Sequence, residues 1–461
     1  MTFKGFAGMF LIAAGVVALA GCSRKSTLVP YPPIVNPVVF ADAFDAQEDF
    51  QAFGGSKYDA LSIVTDTTHA GSAAAIKIIV PSVNDPAGAY SGGAFITHRA
   101  RDFSSYNALS FWVRASRPVN LDVCGFGNDN TGSSKFVAQR SAVPITTSWT
   151  QVIIPIPDSR KLSNEAGMFY FAEGPQTGVG LTMWLDDIKY VNTASVSNPR
   201  PTLATQTINT IVGLSPSLTG TTRTVFAING VDATVTHLPG YFDFTSTNPA
   251  VASVKKGVLS VKGGGSATLT ATLAGALVPG AVTVNAIPAP ATGPAVPTLP
   301  AANVISLLSQ KYPNVPVDKW SADWDVADVT DFTVAGTPVK VYTNMVYAGI
   351  EFISHTIDAS NMTAIHMDLF IPNGTTFKVQ LVDFGADGIY NFGGGDDSAC
   401  ELTFNASSTP PVVPGTGQWI PLDIPLTAFT DVSLNSQAHL AQLIISGDTR
   451  TVFVDNIYFH K

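Results

Sequence analysis

Short runs in which apolar and polar residues alternate recur from Val38 to the end of this chain, each closed by Gly, Asn, Asp or Ser. Ala75-Ile76-Lys77-Ile78-Ile79-Val80, Ala108-Leu109-Ser110-Phe111-Trp112-Val113 and Thr150-Gln151-Val152-Ile153-Ile154 are examples. Successive side chains of a strand stand on opposite faces, and β-branched and aromatic residues suit a half-buried sheet. One stretch, Ala302 to Gln310, has helical spacing long enough for a turn or two. The chain is therefore read as all-β.

Its 461 residues allow about three domains, and 46% apolar residues are ample for packed cores. Only 13% are charged, against a usual share of about 25%, so the surface is polar through hydroxyls and amides. That suits an extracellular β-rich protein. The net charge is -9 and no Lys/Arg cluster is present to neutralise a phosphate backbone, which argues against nucleic acid as a partner.

Lys4 precedes an apolar run from Phe6 to Ala20, 15 residues long, whereas a spanning helix needs about 20. Residues 1–21 are read as a signal peptide. The run ends in Leu19-Ala20-Gly21-Cys22, which resembles the lipobox of bacterial lipoproteins, in which the chain is cut before an acylated Cys. The resemblance implies lipidation at Cys22 and a membrane anchor, and Ser23 after the Cys implies the bacterial outer membrane, facing the exterior. Residues 22–37, with four prolines, are expected to be an extended tether. Cys124 and Cys400 fall in different expected domains, where a disulfide would have to cross a linker, and no Cys/His spacing fits zinc.

An internal repeat divides the rest. Trp149-Thr150-Gln151-Val152-Ile153-Ile154-Pro155-Ile156 matches Trp419-Ile420-Pro421-Leu422-Asp423-Ile424-Pro425-Leu426, and Trp184-Leu185-Asp186-Asp187-Ile188 matches Phe453-Val454-Asp455-Asn456-Ile457. The intervals agree, since Trp149 to Asp186 is 37 positions and Trp419 to Asp455 is 36. The last copy carries an insertion at the loop Asp383 to Glu401. Residues 38–192 and 303–461 are the two copies, residues 200–287 lie between, and the Pro/Ala-rich residues 288–302 are read as a semi-rigid linker.

With its opening acidic strand Phe40-Ala41-Asp42-Ala43-Phe44, Leu109-Ser110-Phe111-Trp112-Val113, Trp149-Thr150-Gln151-Val152-Ile153-Ile154-Pro155 and closing Asp186-Asp187-Ile188, the repeat resembles jelly-roll carbohydrate-binding modules of bacterial polysaccharide-degrading systems. The last copy is similar to modules appended to family 16 β-glucanases, through Leu381-Val382-Asp383-Phe384-Gly385-Ala386-Asp387-Gly388 and Gly394-Gly395-Asp396-Asp397. The middle segment, with Thr245-Ser246-Thr247-Asn248-Pro249 and Gly263-Gly264-Gly265-Ser266-Ala267-Thr268, resembles bacterial immunoglobulin-like domains of group 2. The resemblance implies two jelly-roll β-sandwiches flanking a smaller immunoglobulin-like β-sandwich. It also implies a polysaccharide ligand, a β-glucan such as laminarin, with an outer-membrane glycan transporter and glycoside hydrolases as partners.

In such modules the closing aspartate often ligates a structural calcium together with acids of the opening strand. The resemblance thus implies calcium at Asp186 with Asp42 or Glu48, and at Asp455 with Asp323 or Asp325. Read from residue chemistry alone, the same aspartates cap turns.

Sugars are held by flat rings against their CH faces, with amides and carboxylates taking the hydroxyls. Trp149, Trp184 and Trp419 lie inside strand patterns and are expected in the core. Trp112 alternates away from Phe111 and Val113, as a platform or as packing. Trp320 and Trp324 occur in a polar stretch and are the leading candidates; in an extended segment their indoles would share a face about 13 Å apart. Tyr347 and Tyr390 would complete that surface. The loop carrying Asp396 and Asp397 offers acceptors beside Tyr390 and Phe392, or is a solvated loop, and Trp112 and Tyr90 remain as alternatives. The chain has no Glu-x-Asp-x-x-Glu string, Gly-x-Ser-x-Gly elbow or phosphate loop, and the adjacent Asp186 and Asp187 of a strand point to opposite faces. The expectation is binding without turnover; the rival readings are a β-glucanase or lyase acting through a jelly roll, and a structural adhesin.

Overall fold

The computed structural model describes residues 33–391, 395–430 and 437–461. The signal peptide, Cys22, the tether as far as residue 32, and Phe392 lie outside the described residues. Strands joined by turns and five 3₁₀ turns make up the described chain, and none of its helical turns is long and apolar enough to cross a membrane.

The first sandwich sets the sheet Leu61–Val64, Ala75–Val80, Leu181–Val191, Ala108–Ala115, Thr150–Pro155 against a second layer. That layer runs Glu48–Ala52, Ser91–Arg101, Glu165–Glu173, Val119–Phe126, Ala138–Ile145. Ile76, Ile78, Phe111, Val113, Phe95 and Phe169 fill the space between them. Alternation explains the pairing: the apolar partner of each polar residue faces inward, and burying it removes its surface from water.

The second layer does not stop at the edge of that sandwich. Thr236 and His237 pair with Gln139 and Ala138, so Val231–His237, Thr222–Ile228 and Val196–Leu203 extend it to eight strands. The middle unit adds a four-stranded sheet in which Gln206–Ile211 runs parallel to Ala276–Ile287. Its Tyr241, Phe242 and Phe226 belong to the same apolar core as Phe169 and Tyr190. Ile211, at the other side, packs with Val339, Val341, Phe370 and Phe453 of the last sandwich.

In the C-terminal sandwich nine strands form one sheet that folds over on itself. The turn of that fold is the 15-residue strand Thr337–Glu351. Its first half pairs with Val452–His460 at Lys340 to Tyr342, and its second half pairs with Leu440–Gly447 at Tyr347 to Glu351. The repeat is visible in the pairing. Thr150–Pro155 lies beside Ala108–Ala115, which lies beside Leu181–Val191; Ile420–Pro425, Ala364–Phe370 and Val452–His460 keep that order. Asp187 and Asn456, matched in the repeat, both adopt a left-handed backbone, with φ of 50° and 48°.

Two local expectations change. Ala302 to Gln310 is a single 3₁₀ turn followed by the strand Val304–Leu308, because Val304, Ile305 and Ser306 find partners on the closing strand at His460, Phe459 and Tyr458. The segment expected as a spacer lies along the last sandwich, where its carbonyls accept hydrogen bonds: Thr292 from Trp419 Nε1 (2.6 Å), Ala295 from Asn456 Nδ2 (3.1 Å) and Leu299 from Tyr312 (3.0 Å). Cys124 and Cys400 are both free and buried, and burial pushes the Cys124 thiol up to about 12.

His237 sits where the middle unit joins the first sheet, its ring against Tyr241 and Phe242 at 5.4 and 5.0 Å and its Nε2 3.0 Å from Thr224 Oγ1. Burial lowers its pKa from 6.5 to about 4. The unfolded chain therefore takes up a proton before the folded one does. The contribution of His237 to stability is whole above about pH 6.5 and is lost as pH falls through about 4. Thermal unfolding followed across that range should show the melting temperature of the native protein falling relative to that of His237→Phe; a pH-independent difference would remove His237 from the account.

Candidate functional site

The outer face of the layer Ser398–Phe404, Phe377–Asp383, Leu440–Gly447 and the second half of Thr337–Glu351 carries a groove. Phe377, Val379, Leu381, Leu443, Ile445 and Ile350 point into the core, which leaves their neighbours on the other face. Register then lines up Glu401, Gln380, Ile444 and Gly349 in one row and Ala399, Val382, Gln442 and Glu351 in the next.

Gly349 matters because it has no side chain. The Trp324 indole lies over it, and a Cβ at that position would come within 2.4 Å of the indole Cη2. Trp324 is 43% exposed. Its Nε1 donates to Glu351 Oε1 at 2.8 Å, and Gln442 Nε2 donates to the same oxygen at 3.2 Å. The Tyr347 ring stacks beside it at 6.1 Å and 18°, with the Tyr347 hydroxyl donating to the Trp324 carbonyl at 3.1 Å. A ring so tethered loses little freedom when a ligand stacks on it.

The turn that presents Trp324 is tied by Asp325. One of its carboxylate oxygens accepts from the Ala322 and Gly349 amides, both at 2.9 Å, and the other from Ser321 Oγ at 2.9 Å. Because this segment is a turn, the extended geometry expected for Trp320 and Trp324 does not occur. Trp320 packs against the core with Lys340 Nζ 4.9 Å above its ring, and its indole does not join that of Trp324. Asp323 reaches solvent and pairs with Lys319 at 2.5 Å.

The opposite wall comes from the inserted loop. Tyr390 and Asp397, with Gln380, Val382, Ser398, Gln442 and Trp324, enclose a groove of about 510 Å³. Tyr390 leans on Phe384 at 5.3 Å. Asp397 Oδ2 accepts from the Asn391 amide, while its Oδ1 is buried with no hydrogen-bond partner. Asp396 is a brace, accepting from the Ala386 amide at 2.5 Å. The fold thus gathers Trp324, Tyr347, Tyr390 and Asp397. Gln380, Gln442, Glu351 and Gly349 were missed: an outward amide or glycine in a strand carries no signal until register shows what lies across from it.

In the first sandwich the candidates separate. Trp112 is covered by the His69 ring, stacked at 3.9 Å and 15°, with Trp149 edge-on to the same ring at 5.9 Å. Tyr90 belongs to the other layer, its hydroxyl bonded to the Gly54 carbonyl at 3.0 Å. Trp149, Trp184 and Trp419, expected in the core, are each only half-buried: Val152, Met183 and Leu185 take the inward positions beside the first two, and Trp419 lies against Phe370 at 5.9 Å.

Of the acids considered for calcium, Asp42 and Asp186 meet. Ser72 Oγ lies 2.9 Å from Asp42 Oδ1, 3.0 Å from Asp186 Oδ1 and 2.8 Å from the Ala74 carbonyl, three acceptors around a hydroxyl with one proton. Amides also serve both: Ala73 donates to Asp42 at 2.6 Å and His69 to Asp186 at 2.8 Å. Those bonds hold the Asp42 carboxyl below its ordinary range, whereas burial raises that of Asp186. Glu48 is engaged elsewhere, with the buried Arg101 at 2.5 Å. Asp455 faces Asp368 across the strand pair, and burial pushes its carboxyl up to about 6. Asp323 and Asp325 belong to the Trp324 turn and not to its surroundings. Among the described residues no group of three or more His, Cys, Asp or Glu is arranged to hold a metal ion.

No protein-family model matches the chain, and no curated protein matches it. Among solved structures it is similar to a family 30 carbohydrate-binding module at 20% identity and a TM-score of 0.23, over 34% of this chain and 84% of that one. It is also similar to a family 11 carbohydrate-binding module from Clostridium thermocellum in complex with a β-1,3-1,4-mixed-linked tetrasaccharide, at 13% identity and a TM-score of 0.25, over 35% of this chain and 98% of that one. A tandem of two family 22 modules from Paenibacillus barcinonensis matches 94% of this chain and 99% of its own length, at 9% identity and a TM-score of 0.21. With TM-scores this low, the all-β sandwich fold rests on the strand pairing itself.

If Gly349 is what seats the indole, Gly349→Ala must dislodge it. Acrylamide quenching of tryptophan fluorescence should rise in Gly349→Ala and should not rise when the same change is made in a Trp324→Phe background. Equal quenching in the presence and absence of Trp324 would place the effect elsewhere.

Proposed function

We propose that the C-terminal groove holds a segment of neutral polysaccharide and that the chain is a glycan-binding protein without turnover. The observation that carries this reading is the Trp324 indole, pinned by Glu351 and flanked by Tyr347 on one wall of a groove whose floor and rim offer Gln380, Gln442 and Asp397. A fixed flat ring suits the CH face of a pyranose, and amides and a carboxylate at its side suit hydroxyls, in a site largely formed beforehand. Glu351 Oε1 already accepts from Trp324 and Gln442, which favours a positioning role over a catalytic one.

The finer reading is a β-glucan such as laminarin, supported by the likeness of Leu381 to Gly388 to modules appended to family 16 β-glucanases. It includes a lipid anchor at Cys22 in the bacterial outer membrane, and partners that transport and hydrolyse the captured glycan. A structural calcium ion at Asp42 and Asp186 belongs to the same reading. Oxygens crowding one hydroxyl are the donor set that a hard cation takes.

Trp324→Ala should weaken binding of soluble laminarin at least tenfold, about 1.4 kcal/mol, with the melting temperature unchanged, and reducing-sugar assays on β-glucans should stay at background. Full affinity in the variant would move the site, and sustained sugar release would make the protein an enzyme. For calcium, a ligand bound to the native state alone stabilises it by mass action. Excess chelator should therefore lower the melting temperature of the native protein and leave Asp186→Asn unaffected; identical melting with and without calcium would remove the ion.

A further inference from the structure

The outer face of the opposite sheet, in the first sandwich, brings two cations beside one tryptophan on this acidic chain. Trp184 stands there at the centre of Leu181–Val191. Register places Arg114 directly beside it on one neighbouring strand and Lys77 directly beside it on the other. The Arg114 guanidinium lies over the indole, 5.4 Å from the ring centroid. Adjacent strands are about 4.8 Å apart, so the backbones of Arg114 and Lys77 are roughly 10 Å from one another with that of Trp184 between them. All three residues are half-buried.

Neither cation has a counter-charge. Lys57, Arg101, Arg160, Arg200, Lys319 and Lys378 each pair with a carboxylate. Among the described residues Arg114 and Lys77 form no ion pair, and Arg114 Nε is buried without any hydrogen-bond partner. The carboxylates on the same strand are committed elsewhere. Asp186 is buried under the loop that brings His69 and Ser72 over it, and Asp187 pairs with His69 at 3.5 Å and Lys189 at 3.4 Å. With a net charge of -9, these two cations do not belong to a generally basic chain.

We propose that this face binds an anionic sugar residue of a glycan, a uronate or a sulfate ester, stacked on Trp184 with its acid group held by Arg114 or Lys77. The ring supplies a flat apolar surface of pyranose size, which a peptide carboxylate would not use. The guanidinium supplies a planar donor fork that fits a carboxylate or sulfate. This site is independent of the Trp324 groove and takes a different chemical class.

The test uses the native full chain and four probes: alginate for carboxylates, carrageenan for sulfates, laminarin as a neutral glycan, and polyglutamate as a polyanion without sugar. Alginate or carrageenan should bind, and the one that binds identifies the acid group. Its affinity should fall at least tenfold in Trp184→Ala and in the double variant Arg114→Gln, Lys77→Gln, and should be unchanged in Trp324→Ala. It should also fall as ionic strength rises from about 0.01 to about 1 M, over which the Debye length shrinks from about 30 to about 3 Å. The double variant keeps the tryptophan, so it tests the charges even where Trp184→Ala fails to fold. No binding of either acidic glycan would overturn the proposal. So would binding that survives the double variant, or polyglutamate binding as tight as that of the glycan and insensitive to Trp184→Ala.

Discussion

One strand, Thr337–Glu351, pairs with both layers of the C-terminal sandwich, and the groove follows from where it changes partner. Tyr342 and Val341 are still in the layer of the closing strand; five residues later Tyr347 is in the other layer, opposite Ser446. From that crossing onward the register of Tyr347, Gly349 and Glu351 is fixed against Ser446, Ile444 and Gln442. Register is strict wherever one face is buried, because a slip of one residue would turn Ile350 outward and Gly349 into the core. The ring support, the bare seat and the indole acceptor are therefore placed together by the same constraint that closes the sandwich.

Carboxylates do much of the local construction. Asp325 ties the Trp324 turn, Asp186 and Asp42 hold the loop from His69 to Ala74, and Asp448 accepts from Thr375 and Thr376. Three short bonds hold the Asp448 carboxyl far below its ordinary range. A chain with few charges spends them on backbone amides that sheets leave unpaired at their ends.

That use explains what could and could not be read from the residues. Period-two alternation marks the strands, and the matched Trp149 and Trp419 segments mark the two copies, because those features are local. Trp324 and Tyr390 were also visible, as rings in polar surroundings. The turn at Asp325 was not, since the Gly349 amide it accepts from is remote in sequence. Ala302 to Gln310 has helical spacing, and what makes Val304–Leu308 a strand is its partner, the closing strand at the far end of the chain. Trp184 lies inside a strand pattern, but Met183 and Leu185 alternate with it and take the inward positions. Asp323 and Asp325 join Asp455 only through the resemblance to jelly-roll modules; in the fold they serve the Trp324 turn, and Asp455 faces Asp368.

The union of the first sheet with the strands of the middle unit, through Thr236 and His237, has a mechanical meaning. Hydrogen-bonded strands resist bending far better than a peptide linker does, and Ile211 packs the middle unit on the last sandwich in turn. The Trp184 face and the Trp324 groove are then held at one separation and one mutual angle, like two marks on a ruler. A flexible pair of modules would bind any polymer with two sugars within reach, with an effective concentration set by its tether. If both faces bind as proposed, a stiff pair favours material in which a neutral and an acidic segment already occur at that distance, so the scaffold itself would read the texture of a glycan mixture as well as its chemistry.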